Sequence, residues 1–199
     1  MNQALVKALE SAKSYMEYRN LVSHHVVLGT STGFDQSEAL SNYTMLNDRR
    51  MKRLDKTVKL APEIQERVKE HSKNVTWLVL TESWCGDAAH TIPIMEKMAA
   101  LNDQIELKVS LRDENEDLMN QYLTNGNKSI PKLLVIDNAS GEVLNTWGPR
   151  PSKATAAVEA FKNQFGTLTP EFKQDLQLWY NKDKGQNTAE DLSKLMILE

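Results

Sequence analysis

Residues 75–88 read VTWLVLTESWCGDA, a short apolar run that leads into the chain's only cysteine, Cys85. The apolar run predicts a buried strand, and the helical periodicity of residues 86–101 predicts a helix directly after it. Cys85 therefore stands where a strand passes into a helix. The unpaired N–H groups and the positive dipole end of a helix start favour a thiolate. Because Ala88 replaces the second cysteine of a CxxC pair, Cys85 cannot close an internal disulfide.

Strand and helix patterns alternate on either side of this junction. Strands are predicted at 75–81, 105–111, 132–136 and 142–147, and helices at 86–101, 114–123 and 152–165. The order β-α-β-α-β-β-α predicts an α/β fold with a central mixed four-stranded sheet flanked by helices. Its first crossovers are expected to be parallel and its last strand antiparallel.

Helical patterns also precede and follow this alternating region. The first seventy or so residues show helical spacing, and two further helices are predicted at 169–182 and 188–198. The predicted organisation is an N-terminal helical extension packing on the core at 1–73, a core at 74–166, and C-terminal helices at 167–199.

Composition narrows the classes of partner. With 26% charged residues and a net charge of −3, the chain lacks the strong positive field that would attract nucleic acid. We therefore expect no nucleic-acid partner. A short basic stretch occurs at Arg49, Arg50, Lys52 and Arg53. It predicts a solvated helix face, with an anionic contact as the alternative.

The chain shows the features of a cytoplasmic protein. A single cysteine suits a reducing compartment, the N-terminal residues lack the apolar core of a signal peptide, and no apolar run could span a bilayer. We therefore expect no membrane partner. Since no cysteine or acidic cluster has metal-ligand spacing, we also expect no metal site.

Separated residues match the motifs of a single superfamily. They are Trp84, Cys85 and Gly86 at the strand-to-helix turn, Pro93 in the helix, Ile130 and Pro131 before a strand, and Gly141 and Gly148 around the hairpin. On these residues the chain resembles the thioredoxin-like superfamily over 75–165. With its single-cysteine WCGDA motif it looks like a bacterial thioredoxin family protein. The resemblance implies a thioredoxin-like fold and a cis Pro131 whose preceding residue lies against the cysteine sulfur.

Three positions depart from the thioredoxin pattern. Ala88 replaces the resolving cysteine, Asp87 replaces the motif proline, and Val79 stands where thioredoxins carry a buried acid, although Glu82 is nearby. Asp87 opposes a thiolate by like charge but stabilises the helix as a first-turn acid. The direction of the Cys85 pKa shift stays open at this point.

The resemblance and the residue types together predict a site. Cys85 is the candidate catalytic residue, and the candidate substrate-binding residues are Trp84, Gly86, Asp87, Arg112, Ile130, Pro131 and Arg150. Ordinary alternatives are packing for Trp84, a helix-start role for Asp87 and a structural salt bridge for Arg112 and Asp113. Arg150 stands between two prolines and could bind a carboxylate. His90 is expected to be solvated or packed, and turned away from the thiol.

Two functions follow from this site. The leading hypothesis is a thioredoxin-like monothiol oxidoreductase in which Cys85 forms a mixed disulfide with a protein or a low-molecular-weight thiol. No bound cofactor is expected, and a small thiol would serve as co-substrate. The alternative is a redox-inactive binding or scaffold protein, whose N-terminal helices could supply an interface, for example for a homodimer. Peroxide reduction through a sulfenic acid is a minor third hypothesis.

Overall fold

A five-stranded mixed sheet lies at the centre of the computed structural model, which describes residues 2–196. The strands are β1 (Lys13–Ser14), β2 (Val75–Thr81), β3 (Ile105–Leu111), β4 (Lys132–Asp137) and β5 (Val143–Trp147), in the order β1-β3-β2-β4-β5. The helices are α1 (Gln3–Glu10), α2 (Tyr15–Leu28), α3 (Glu38–Thr57), α4 (Pro62–Glu70), α5 (Gly86–Ala99), α6 (Glu116–Met119), α7 (Ser152–Phe165), α8 (Pro170–Asp183) and α9 (Gln186–Leu195). A 3-10 turn, Asp113–Asn115, precedes α6.

The central strand β2 carries the cysteine-containing turn at its end. Every residue of β2 is buried, as expected for an interior strand covered on both faces. It pairs in parallel with β3 and antiparallel with β4, so that Val79 lies between Val109 and Leu133. This arrangement confirms the mixed α/β, thioredoxin-like fold with helical extensions.

The structure corrects three details of the sequence prediction. β4 runs antiparallel to β2, so the second crossover is not parallel; the start of β4 thereby lies beside the end of β2. The two-residue strand β1 was not predicted, because so short a segment has no measurable periodicity. The helix expected at 114–123 is shorter and consists of α6 alone. Asn115 has a non-helical backbone, and its side-chain amide donates to the Leu111 carbonyl at 2.8 Å.

α3 is fixed on both sides by buried polar contacts. Toward α2, Nη1 of Arg19 lies 3.2 Å from the Asp48 carboxylate. Toward the cysteine, the Asn47 amide donates to the Ser83 carbonyl at 2.9 Å, and the Thr44 hydroxyl lies 2.8 Å from the Ser83 hydroxyl. α3 is therefore held beside the turn that leads into Cys85.

The C-terminal helices close over α5. The His90 ring stacks on Tyr180 of α8 with ring centroids 4.4 Å apart, and His90 Nε2 lies 2.9 Å from the Gln177 side-chain oxygen. Burial lowers the pKa of His90 to about 4, so the ring is neutral at physiological pH. His90 is thus packed, one of the two states expected for it. The predicted last helix ends at Leu195, and Leu198 lies outside the described residues.

Both helical extensions contribute to the packed interior. Leu5 of α1 and Leu192 of α9 belong to the same apolar core as the central strand. α7 and α8 form a smaller apolar cluster of their own around Val158 and Leu176. Within residues 2–196, no helix is both long enough and apolar enough to cross a membrane. The division at 73/74 and 166/167 stays a prediction.

Candidate functional site around Cys85

Cys85 is the N-cap residue of α5, as the sequence predicted. Its sulfur accepts the Ala88 N–H at 3.4 Å, and its S–H donates to the Ile130 carbonyl at 3.3 Å. Both contacts draw the side chain inward, and the residue is only 7% exposed. The thiol therefore lies beneath the surface at the floor of the site.

The Ile130–Pro131 peptide bond is cis, as predicted, and positions the Ile130 carbonyl on the thiol. Gly148 lies behind Pro131 with a φ of +114°, and a Cβ atom there would be 2.1 Å from the Pro131 carbonyl oxygen. Only glycine fits so close an approach in that conformation. The sequence did not predict the second cis bond, Gly148–Pro149.

Asp87 and Arg150 form an ion pair directly beside the cysteine. The Asp87 carboxylate lies 2.8 Å from Nη2 of Arg150 and accepts a hydrogen bond from the Tyr180 hydroxyl at 2.9 Å. Burial raises the pKa of Asp87, whereas Arg150 and Tyr180 act against that shift. The carboxylate expected for Arg150 is therefore one of the protein's own.

The surroundings favour the thiol form of Cys85. Burial and then the Asp87 carboxylate raise the pKa of Cys85 to about 12. The Ala88 N–H and Arg150 lower it, but by less. Desolvation thus outweighs the helix start, and the direction that the sequence left open is upward.

Trp84 and Arg112 form one wall of the site. The Arg112 guanidinium carbon lies 5.0 Å from the Trp84 ring centroid, within range of a cation–π contact. Nη2 of Arg112 also lies 2.7 Å from the Asp113 carboxylate, which is the structural salt bridge given as the ordinary interpretation. Trp84 is half-buried and lies at the rim.

Glu82 is fully buried, and its carboxylate is hydrogen-bonded to the 3-10 turn that follows β3. One carboxylate oxygen accepts the Asp113 N–H at 2.9 Å. Burial raises the pKa of Glu82, an effect only partly offset by its hydrogen-bond partners. The thioredoxin pattern places a buried acid at the position of Val79. In this chain a buried acid, Glu82, lies three residues later, just after the end of β2.

The predicted residues meet at one cavity of about 520 Å³. Of those predicted, the cavity is lined by Trp84, Cys85, Gly86, Asp87, Arg112, Ile130 and Arg150. Pro131 is not in the lining. Sequence reasoning missed other lining residues: Leu40, Tyr43 and Arg50 of α3, Lys128 and Ser129 before β4, Pro149, Leu168 before α8, and Lys173, Leu176 and Gln177 of α8.

Only one of the missed residues carried a signal in the sequence. Arg50 belongs to the basic stretch for which an anionic contact was the alternative interpretation. Nothing local indicates that α8 would reach a cysteine more than eighty residues earlier in the chain. Among residues 2–196, no three histidine, cysteine or acidic side chains cluster in a way that could hold a metal ion.

A family comparison agrees with this geometry. The family model described as Thioredoxin matches residues 33–162, which is more than half of the chain. The chain belongs to the thioredoxin family. The matched region of this thioredoxin-family protein contains Cys85, both cis-prolines and α3, but not α8 or α9.

Solved structures show the same fold for this thioredoxin-family protein. A protein of unknown function from Pseudomonas aeruginosa superposes with a TM-score of 0.59 at 20% identity, covering 92% of this chain and 96% of the other. An HIV epitope-scaffold superposes with a TM-score of 0.57 at 19% identity, covering 92% of this chain and 97% of the other. Because the identities are low, these likenesses concern the fold alone. No curated protein matches the sequence.

Proposed function

We propose that this thioredoxin-family chain is a redox-inactive binding protein whose groove, the cavity at Cys85, accepts an extended peptide. One observation carries the proposal: Cys85 is only 7% exposed and lies next to the Asp87 carboxylate, which together with burial raises the pKa of the thiol to about 12. At that pKa only about one thiol in 100,000 is ionised at neutral pH. So small a thiolate fraction argues against disulfide exchange as the main activity.

The shape and lining of the groove support peptide binding. Its volume of about 520 Å³ lies within the usual range of ligand sites, about 300–1,000 Å³. Tyr43 and Trp84 offer aromatic surface, and Leu40 and Leu168 offer aliphatic surface. Ile130 lies in a segment that leads into β4, where an extended chain could lie alongside the backbone.

A displayed peptide library tests this function. Peptides selected on the wild-type protein should bind Trp84→Ala at least tenfold more weakly, because truncating a central aromatic contact of an interface costs about 2 kcal/mol or more. They should bind Cys85→Ser with unchanged affinity. The proposal is overturned if no selected peptide depends on Trp84, or if binding is lost in Cys85→Ser.

The monothiol oxidoreductase remains the second candidate function. It is favoured by the placement of the Cys85 sulfur on the Ala88 N–H, at the start of a helix and against the residue before a cis-proline. The thiolate would attack one sulfur of a disulfide and release the other as a thiolate. A small external thiol would then attack the mixed disulfide and restore Cys85.

Mass spectrometry distinguishes the two functions. The wild-type protein is incubated with a low-molecular-weight disulfide, and Cys85→Ser serves as the control. The binding proposal predicts no adduct on the folded wild-type chain and no turnover when glutathione is supplied. An adduct at Cys85 that glutathione removes catalytically would establish the oxidoreductase instead.

A further inference from the structure

Three arginines lie together on one face of α3. They are Arg49, Arg50 and Arg53, which the sequence predicted to lie on a solvated helix face. Residues three and four positions apart are neighbours on a helix, so these guanidinium groups share one surface. Leu46 continues the same face one turn earlier and is 41% exposed.

This face borders a second cavity, of about 370 Å³. The cavity is lined by Leu46, the three arginines, and two residues of α8, Gln177 and Asn181. Arg50 and Gln177 also line the groove at Cys85. The two cavities therefore lie on either side of these two residues.

The three arginines have neutral partners. Nη1 of Arg50 donates to the Asn47 side-chain oxygen at 2.9 Å, and Nη2 of Arg53 donates to the Asn181 side-chain oxygen at 2.6 Å. Arg49 contacts a methionine sulfur. Within the described part of the chain, residues 2–196, none of the three forms an ion pair with a carboxylate.

A fourth cation of the same basic stretch shows the contrast. Lys52 lies beside Arg49 on the helix, but its ammonium is directed to the Asp48 carboxylate, 2.7 Å away. Arg50, by comparison, has its pKa lowered by burial and by the neighbouring Arg53, while the Asp87 carboxylate acts in the opposite direction without forming an ion pair with it. Neighbouring guanidinium groups repel one another in the free protein, and an anion that binds between them relieves this repulsion.

We propose that Arg49, Arg50 and Arg53 form a carboxylate-binding subsite, and that the peptide bound in the groove at Cys85 is acidic. This inference rests on the proposed function, because the peptide reaches the arginines by leaving that groove past Gln177. Planar guanidinium groups bind carboxylates through paired N–H donors, and Leu46 offers an apolar contact one turn before them. Charge complementarity therefore favours acidic residues in the peptide, and Leu46 favours apolar residues among them.

Fluorescence anisotropy with a labelled alternating glutamate–leucine peptide tests the subsite. Arg50→Gln and Arg53→Gln should each weaken binding roughly tenfold, as expected for the loss of one charge-assisted contact. Lys52→Gln makes the same change of charge on the same helix and should leave the affinity within about twofold, since its ammonium faces Asp48. Thermal unfolding of all variants is measured to exclude misfolding.

The outcomes separate this inference from the proposed function. If the peptide binds and depends on Trp84 but not on the arginines, the subsite is wrong and the groove stands. If binding of the peptide depends on the arginines but not on Trp84, the proposal that the groove at Cys85 binds a peptide is wrong. The proposal that its ligand is an acidic peptide is then wrong as well. Four results would each overturn the acidic-peptide subsite. A peptide with glutamine in place of glutamate could bind as tightly as the acidic peptide, or Lys52→Gln could weaken binding as much as the arginine variants do. The acidic peptide could also fail to bind at all, or an oligoadenylate RNA could displace it.

Discussion

The Asp87 carboxylate lies 2.8 Å from Nη2 of Arg150, in the first turn of the helix that Cys85 caps. The pair joins two charged side chains that act on the thiol in opposite directions, and the Tyr180 hydroxyl adds a hydrogen bond to the carboxylate. A positive charge that could have stabilised a thiolate is therefore directed at a carboxylate. The effect of these charges on Cys85 can be measured through the rate at which the thiol is alkylated.

The first prediction concerns the alkylation of Cys85 by iodoacetamide. Because the pKa of Cys85 is raised to about 12, the rate should increase about tenfold per pH unit and should not level off below about pH 10. The same chain unfolded in urea provides the control, and its rate should level off near the ordinary pKa of about 8.5. A plateau near neutral pH in the folded protein would contradict the buried thiol.

The second prediction concerns Asp87→Asn. Removing the negative charge next to the sulfur lowers the pKa of Cys85 and leaves Arg150 free to favour the thiolate. Alkylation at fixed pH should become roughly tenfold faster. Asp103→Asn is the matched control, because Asp103 is exposed beyond the opposite end of α5. An unchanged rate in Asp87→Asn would show that burial alone sets the pKa.

The third prediction concerns Gly148, whose Cβ would lie 2.1 Å from the Pro131 carbonyl oxygen at a φ of +114°. Gly148→Ala should lower the free energy of unfolding by about 3 kcal/mol, because backbone conformation and overpacking both oppose it. Gly166→Ala is the control. Its φ of +79° is also unfavourable for alanine, but no atom lies within 4 Å of the added Cβ. It should cost only about 1 kcal/mol, and equal losses in urea denaturation would contradict the close contact.

The fourth prediction concerns the pH dependence of stability at Glu82. Since its pKa is raised in the folded state, Glu82 contributes stability below its unfolded pKa, and that contribution is lost as pH rises through the folded pKa. Relative to wild type, Glu82→Gln should therefore gain stability as pH rises above the unfolded pKa of a glutamate, about 4.3. Glu17 has a lowered pKa because it accepts hydrogen bonds from Ser14. Relative to wild type, Glu17→Gln should instead lose stability as pH rises toward that unfolded pKa, and should show no further change above it in the same denaturation series.

The sequence predicted the parts of the structure that depend on local pattern. The apolar run of β2, the cysteine at the start of α5 and the cis bond before Pro131 follow from periodicity and from separated motif residues. The pKa of Cys85 did not follow, because burial depends on elements far away in the chain. The same holds for the partner of Arg150, since the two residues are 63 positions apart and are brought together by the sheet strands that lie between them in the sequence.

The hydrogen bond between Tyr180 and Asp87 joins residues 93 positions apart. During synthesis, Cys85 and its helix emerge well before α8, which later supplies Tyr180 and one wall of the groove. A growing or truncated chain therefore presents a less shielded thiol than the finished protein does. Modification of Cys85 would accordingly mark chains that have not yet completed their C-terminal fold.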